Sequence, residues 1–287
     1  MNQVTVQAPC KINLILGCVG RLSSGYHQMD MIMQTISLYD TVTAGKTGKP
    51  GIVLSCNDPK VPCNETNIAF RCAQGFFKAT GILPDAAITI EKNIPMMAGL
   101  GGGSADGAGA LVALNRLYGS GLTKEQLCAI ALPYGADIPF CIVGGTQRAQ
   151  GIGEQFTPAP PLPPCWVVVA KPLFSVSTKE AFAQIDAAPA PPRANVEEML
   201  HCLGQGDLEQ VGAAMANVFE AFCSPEKIGK IKEQMKVCGA AGALMSGSGS
   251  AVFGLFQEEK AARACAACLK PEMESVFVAR PLGEQPL

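Results

Sequence analysis

The hydrophobic positions of the first half change period several times. Val4 and Val6 alternate with polar residues, the mark of a half-buried strand. Ile12 to Val19 is richly apolar and predicts a second strand, followed by a polar, glycine-containing loop from Gly20 to Gln28. Met29 to Leu38 and the shorter Ile52 to Ser55 read as further strands. Asn67 to Thr80 spaces its apolar residues helically and ends at two stop signals, Gly81 and Pro84. Ala87 to Glu91 returns to alternation. A glycine-rich loop, Gly99 to Gly103, then runs directly into Ser104 to Tyr118, whose alanines and leucines favour helix. Thr123 with Gln126 forms a capping box for the next helix.

The pattern shifts at Thr157 to Pro164, which is too proline-rich for regular structure and reads as a stiff connector. Trp166 to Ala170 is a compact apolar strand, and Ala187 to Arg193 a second proline-rich connection. Helical spacing fills most of Asn195 to Val237. Ala243 to Met245 and Ala251 to Phe256 read as strands, Glu258 to Leu269 as a helix and Ser275 to Ala279 as a last strand. The domain boundary is placed at the first proline run, giving units 1–160 and 161–287.

Composition narrows the field. The chain has 287 residues, 48% hydrophobic and 16% charged, which is enough to bury a large core and too apolar for disorder. A formal net charge of -2 offers no broad basic surface, so nucleic acid is not expected as a partner. Small anions remain possible, because backbone amides and a few cations suffice for them. The uncharged stretch Val237 to Gln257 is long enough to span a membrane. Its centre is Ser246-Gly-Ser-Gly-Ser250, a loop signal, so no span is expected. Thirteen cysteines, an odd number irregularly spaced, do not form a disulfide framework in a chain of this size. Cys265-Ala-Ala-Cys268 has no second CxxC to complete a zinc site. The opening Met1 to Thr5 lacks the basic start and apolar run of a signal peptide, which points to a reducing cytoplasm.

Four clusters carry candidate chemistry. In Pro95-Met96-Met97-Ala98-Gly99-Leu100-Gly101-Gly102-Gly103-Ser104-Ala105, three successive glycines let the backbone approach a ligand, and the following helix presents free amides and its positive dipole end. Such a loop suits phosphate. A side chain at Gly102 is expected to stand where the phosphate must come close. The dinucleotide fingerprint fails because Ser104 occupies its last glycine position, and a Walker A loop ending at Gly45-Lys46-Thr47 fails because Asp40 stands where its first glycine belongs. Lys11 and Asn13, two residues apart, share one face of an apolar strand. That pattern fits either a site or an edge strand facing water. Asp137, in Gly135-Ala-Asp-Ile-Pro-Phe140, is either functional or an Asp turning the chain into Pro139. Gly25-Tyr26-His27 holds one of only two histidines.

Together with Met245-Ser-Gly-Ser-Gly-Ser250, these clusters resemble the GHMP kinase superfamily, named for galactokinase, homoserine, mevalonate and phosphomevalonate kinases. The resemblance runs from Ala8 to about Phe256. Gly25-Tyr26-His27 and the Gly-Gly-Gly-Ser-Ala-Asp form of the loop resemble the branch whose substrate is a methylerythritol carrying a cytidine diphosphate. Two residues depart from that pattern: Cys10 where alanine is usual, and Ser24 where aspartate is usual.

The resemblance implies an α+β fold of two domains, the first like the second domain of ribosomal protein S5 and the second ferredoxin-like. The site would lie in the cleft between them. It implies transfer of the γ-phosphoryl of ATP, with Mg²⁺, to the tertiary 2-hydroxyl of the methylerythritol unit, in the non-mevalonate route to isoprenoid precursors. Asp137 matches the general base and Lys11 the catalytic lysine. Pro95 to Ala105 matches the phosphate loop, and Asn13, Tyr26, His27 and Phe182 the substrate side. No residue is assigned to the metal, and nothing sets the oligomeric state. Two alternatives stay open: a GHMP kinase for another small alcohol of the homoserine or mevalonate type, and a non-catalytic ligand-binding protein on the same fold.

Overall fold

The computed structural model describes residues 2–21, 23, 25–188 and 194–284. The chain opens with a single long strand, β1 (Gln3–Arg21), which joins the two strands expected there. Its first residues alternate between buried and exposed, but Ala8 to Gly17 is buried on both faces, so the period-2 signal disappears mid-strand. β2 (His27–Gly45) pairs antiparallel along its whole length, and the expected loop shrinks to the few residues between Arg21 and His27. Register shifts at Pro9/Cys10 and Asn13/Ile15 flank the Lys11–Asn13 segment, and bulges of this kind re-aim side chains.

β3 (Gly51–Cys56), α1 (Ile68–Thr80) and β4 (Asp85–Glu91) form a β–α–β unit with β3 and β4 parallel. Asn67 caps α1 by accepting from the Ala69 amide, and Gly81 ends it at φ 70°. α2 (Gly102–Tyr118) is buried along most of its length and packs across β1 and β2, between α1 and α4. α3 (Lys124–Ala131) has the expected Thr123–Gln126 capping box. A short helix, α4 (Asp137–Val143), begins at Asp137 itself. The hairpin of β5 (Thr146–Gly151) and β6 (Gln155–Pro158) was not foreseen, and the start of the proline run lies inside it. Pro158 is tolerated because β6 is an edge strand, paired only with β5.

β7 (Trp166–Pro172) starts the second sheet, and α5 (Thr178–Ala187) follows it. The proline-rich stretch 189–193 and Ser24 lie outside the described residues. α6 (Val196–Gln205), α7 (Leu208–Ala214) and α8 (Pro225–Val237) account for the helical region. A two-residue strand, β8 (Ala216–Asn217), interrupts them and pairs parallel with Ile15–Leu16 of β1. β9 (Gly242–Met245) and β10 (Val252–Phe256) flank the Ser-Gly loop, and α9 (Glu259–Leu269) leads to β11 (Met273–Ala279). The sheet order is β11-β7-β10-β9, all antiparallel, which is the split β–α–β arrangement of a ferredoxin-like unit. No helix among the described residues is long and apolar enough to cross a membrane.

Candidate active site

A cavity of about 830 Å³ opens between the two sheets. β1 contributes Lys11 and Asn13, the glycine loop Pro95 to Ser104, α4 Asp137, α5 Phe182, and the β9–β10 loop Gly247 to Gly249. Sequence separations of more than 200 residues thus converge on one space. Ala105, fully buried, takes no part in the lining; its amide donates to Gly101 inside the first turn of α2.

Lys11 is almost buried, and its ammonium donates to Asn13 Oδ1 at 2.7 Å. Asn13 in turn donates to the sulfur of Met31. The edge-strand reading of this segment is therefore excluded: β2 pairs along one side of it, the glycine loop takes the Lys11 amide on the other, and both polar side chains are buried. Asp137 Oδ2 stands 3.8 Å from the same ammonium, and its side chain keeps 37% exposure. Placed in the first turn of α4, the carboxylate also feels the positive end of that helix. A carboxylate open to the cavity with an ammonium beside it can accept a proton from a bound hydroxyl, while the ammonium neutralises charge on an anion.

The glycine loop is shaped from behind. Gly99 and Gly101 have φ of 74° and 69°, a region that disfavours a side chain. The Lys11 amide donates to Leu100 O at 3.0 Å, the Ala251 amide to Ala98 O at 3.1 Å and Ser246 Oγ to Gly99 O at 3.0 Å. With these carbonyls engaged from behind, the cavity-lining stretch Gly101 to Ser104 begins α2, where the first amides have no intrahelical acceptor. At Gly102 the expectation is corrected. A Cβ there would meet Ile94 at 3.1 Å and the Lys92 ammonium at 3.3 Å, so it points into the protein.

Sequence reasoning missed a buried ionic cluster beside this loop. Lys92 donates to both Asp40 and Asp106, the latter at 2.8 Å. Asp40 also accepts from the Asn93 and Ile94 amides at 2.6 and 2.9 Å. Lys92 and Asp106 line the cavity. Their signal was present, since a lysine follows β4 just before the loop, but charged residues at strand ends ordinarily face water.

On the other side, His27 Nε2 lies 2.6 Å from Asp186 Oδ1, and Arg21 is 3.5 Å from the same carboxylate. The hydrogen bond with His27 holds the Asp186 carboxyl below its ordinary range, and because an ionised carboxylate can only accept, the ring nitrogen donates. The imidazole stacks on Phe182 at 4.5 Å, and Phe182 meets Phe219 edge-on at 4.9 Å. His27 and Tyr26 do not themselves line the cavity, and Tyr26 is 61% exposed.

A phosphate-type loop and a Lys–Asp pair, in a cleft between an S5-like and a ferredoxin-like unit, describe a small-molecule kinase of one class. Residues 67–145 match the GHMP kinases N terminal domain and residues 199–274 the GHMP kinases C terminal domain, and the chain belongs to the GHMP kinase family. Among relatives, it is 41% identical over 259 residues to a 4-diphosphocytidyl-2-C-methyl-D-erythritol kinase of Alkaliphilus metalliredigens, covering 90% of this chain and 89% of that protein. Among solved structures, a 4-(cytidine 5'-diphospho)-2C-methyl-D-erythritol kinase superposes with a TM-score of 0.82 at 33% identity, over 98% of this chain and 100% of that one. A homoserine kinase from Cytophaga hutchinsonii reaches a TM-score of 0.81 at only 21% identity, over 99% and 96% of the two chains, a likeness of fold alone.

Proposed function

We propose that this chain transfers the γ-phosphoryl of ATP to the 2-hydroxyl of 4-diphosphocytidyl-2-C-methyl-D-erythritol, a step toward isoprenoid precursors in the cytoplasm. The observation that carries the reading is the Lys11–Asp137 pair at 3.8 Å, facing a glycine loop across one cavity. Relatives bearing that substrate's name, 37–41% identical over most of the chain, favour it over the homoserine or mevalonate type. The presence of both Lys11 and Asp137 in contact favours catalysis over passive binding.

A tertiary alcohol is a crowded nucleophile, so alignment with the phosphorus dominates the barrier. In our reading Asp137 accepts the hydroxyl proton as the new P–O bond forms and the bond to ADP breaks. Lys11, fixed by Asn13, neutralises charge on the transferring group, and the Gly101 to Ser104 amides hold the remaining phosphates. Tyr26, His27 and Phe182 take the cytidine side. Among the described residues no group of three or more His, Cys, Asp or Glu side chains could hold a metal. The donors around the loop suit phosphates, so magnesium would be held by those phosphates and water. Bound there, it would neutralise phosphate charge. The division into units 1–160 and 161–287 belongs to the same reading.

The test is ADP release with the cytidine diphosphate substrate, with homoserine and mevalonate as competitors for the assignment and with excess chelator. Turnover on the cytidine compound alone, abolished by chelation, is expected. Preference for either other alcohol, or activity in chelator, would overturn the assignment.

A further inference from the structure

Behind the phosphate loop two carboxylates share one ammonium. Asp40 on β2, Lys92 after β4 and Asp106 on α2 have side chains at most 6% exposed. With all three ionised, the cluster would carry one uncompensated negative charge away from water, which is costly. Donors are divided unequally. Asp40 receives Lys92 and two backbone amides, enough to satisfy a full charge. Asp106 receives Lys92 alone, through Oδ2, and its buried Oδ1 has no hydrogen-bond partner among the described residues. A proton on Oδ1 would remove the excess charge and make that oxygen a donor. Burial pushes the Asp106 carboxyl up to about 7, with Lys92 opposing the rise and Asp40 reinforcing it.

The other titratable groups around α2 are accounted for. Cys10 on β1, Cys56 at the end of β3, Cys72 on α1 and Cys141 on α4 are raised by burial and stay neutral thiols. Lys11 on β1 is engaged by Asn13 and Asp137. Asp106 is therefore the group free to take a proton near neutrality, and it lines the cavity that holds the phosphate loop.

We propose that Asp106 takes up a proton from solvent as an anionic nucleotide seats on the glycine loop, coupling binding to neutralisation of the Asp40–Lys92–Asp106 cluster. The inference rests on the nucleotide-binding reading above. Phosphates bring like charge into the cavity, and like charge disfavours the ionised carboxyl. Because the nucleotide complex binds the proton more tightly than the free protein, affinity is greatest below about pH 7. It falls as pH rises from there through the complex's own higher value, then levels. The total fall is about tenfold for each unit by which binding raises the Asp106 pKa.

Calorimetric titration of ADP into the full chain, in buffers of different ionisation enthalpy between pH 6.5 and 8.5, counts the protons exchanged. The same ligand in Asp106→Asn corrects for titration of ADP itself. Wild type is expected to take up a fraction of a proton more than Asp106→Asn, largest between pH 7 and 8, with a steeper fall in affinity. Asp40→Asn should shrink the uptake too, since Asp106 would then have Lys92 to itself, and it serves alone if Asp106→Asn does not fold. Equal uptake in wild type and the folded variants overturns the proposal while leaving nucleotide binding intact. Absence of ADP binding by wild type overturns both.

Discussion

Replacing Gly99 by alanine would place a Cβ 2.0 Å from the carbonyl oxygen of Ser246. No rotamer relieves this, because the obstacle is backbone of the β9–β10 loop. The residue's φ of 74° adds strain of about 1–2 kcal/mol for any L side chain. Moving the loops apart would cost the Ala251–Ala98 and Ser246–Gly99 hydrogen bonds, about 0.5–1.5 kcal/mol each. The sum, roughly 2–5 kcal/mol, predicts for 287 residues a melting temperature lower by roughly 3–8 °C. It also predicts weaker ADP binding, because the displaced segment carries the phosphate-facing amides. Gly103→Ala is the control: its Cβ would meet only Ile68, at an ordinary 3.4 Å, and it sits in the first turn of a helix. Thermal melts on both variants and ADP calorimetry on Gly99→Ala decide the matter. A Gly99→Ala protein that melts within about 2 °C of wild type with unchanged affinity would refute the reasoning, as would an equal loss in the control.

Asp137→Asn should lower kcat by about 10²–10⁴ while ADP affinity holds, and near-normal kcat would remove Asp137 as the base. Lys11→Met should lower kcat at saturating ATP; a change confined to KM, read from steady-state kinetics, would make it a uniform binding residue. Wild type should prefer the cytidine substrate over its uridine analogue, because cytosine offers an exocyclic amine where uracil offers an acceptor, and a mismatch of this kind costs about 1–3 kcal/mol. His27→Ala should erode that preference in kcat/KM, and an unchanged ratio would exclude His27 from reading the base.

Much of the geometry was legible because its carriers are local. A glycine run at a helix start, a capping box at Thr123 and Asn67 at the head of α1 each state their conformation within a few residues. The placement of Lys11 and Asn13 was ambiguous for the opposite reason. Distant segments cover the open side of their strand: the glycine loop, whose Leu100 carbonyl accepts from the Lys11 amide, and β8 at residues 216–217, which pairs with Ile15 and Leu16. The Asp40–Lys92–Asp106 cluster joins residues 52 and 14 positions apart, and no short-range pattern distinguishes a buried charge from a solvated one. Pro158 concealed the β5–β6 hairpin, since proline argues against strands unless the strand is an edge. At Gly102 the sequence showed that a side chain was unwelcome but not on which side; Ile94 and Lys92, on the protein side, supply the reason.

The two glycine loops that meet back to back also govern when disorder is lost. Holding one residue's backbone in a single conformation costs about 1–2 kcal/mol of entropy, so a floppy loop of four or five residues would forfeit much of its grip on a ligand. Here Ala251 and Ser246 hold the carbonyls of Ala98 and Gly99 through protein contacts alone. That ordering is completed during folding, when the whole core shares the cost, and a nucleotide arrives at amides already fixed in place. In the proposed nucleotide reading, the ferredoxin-like unit thereby strengthens phosphate binding through restraint of a neighbouring backbone.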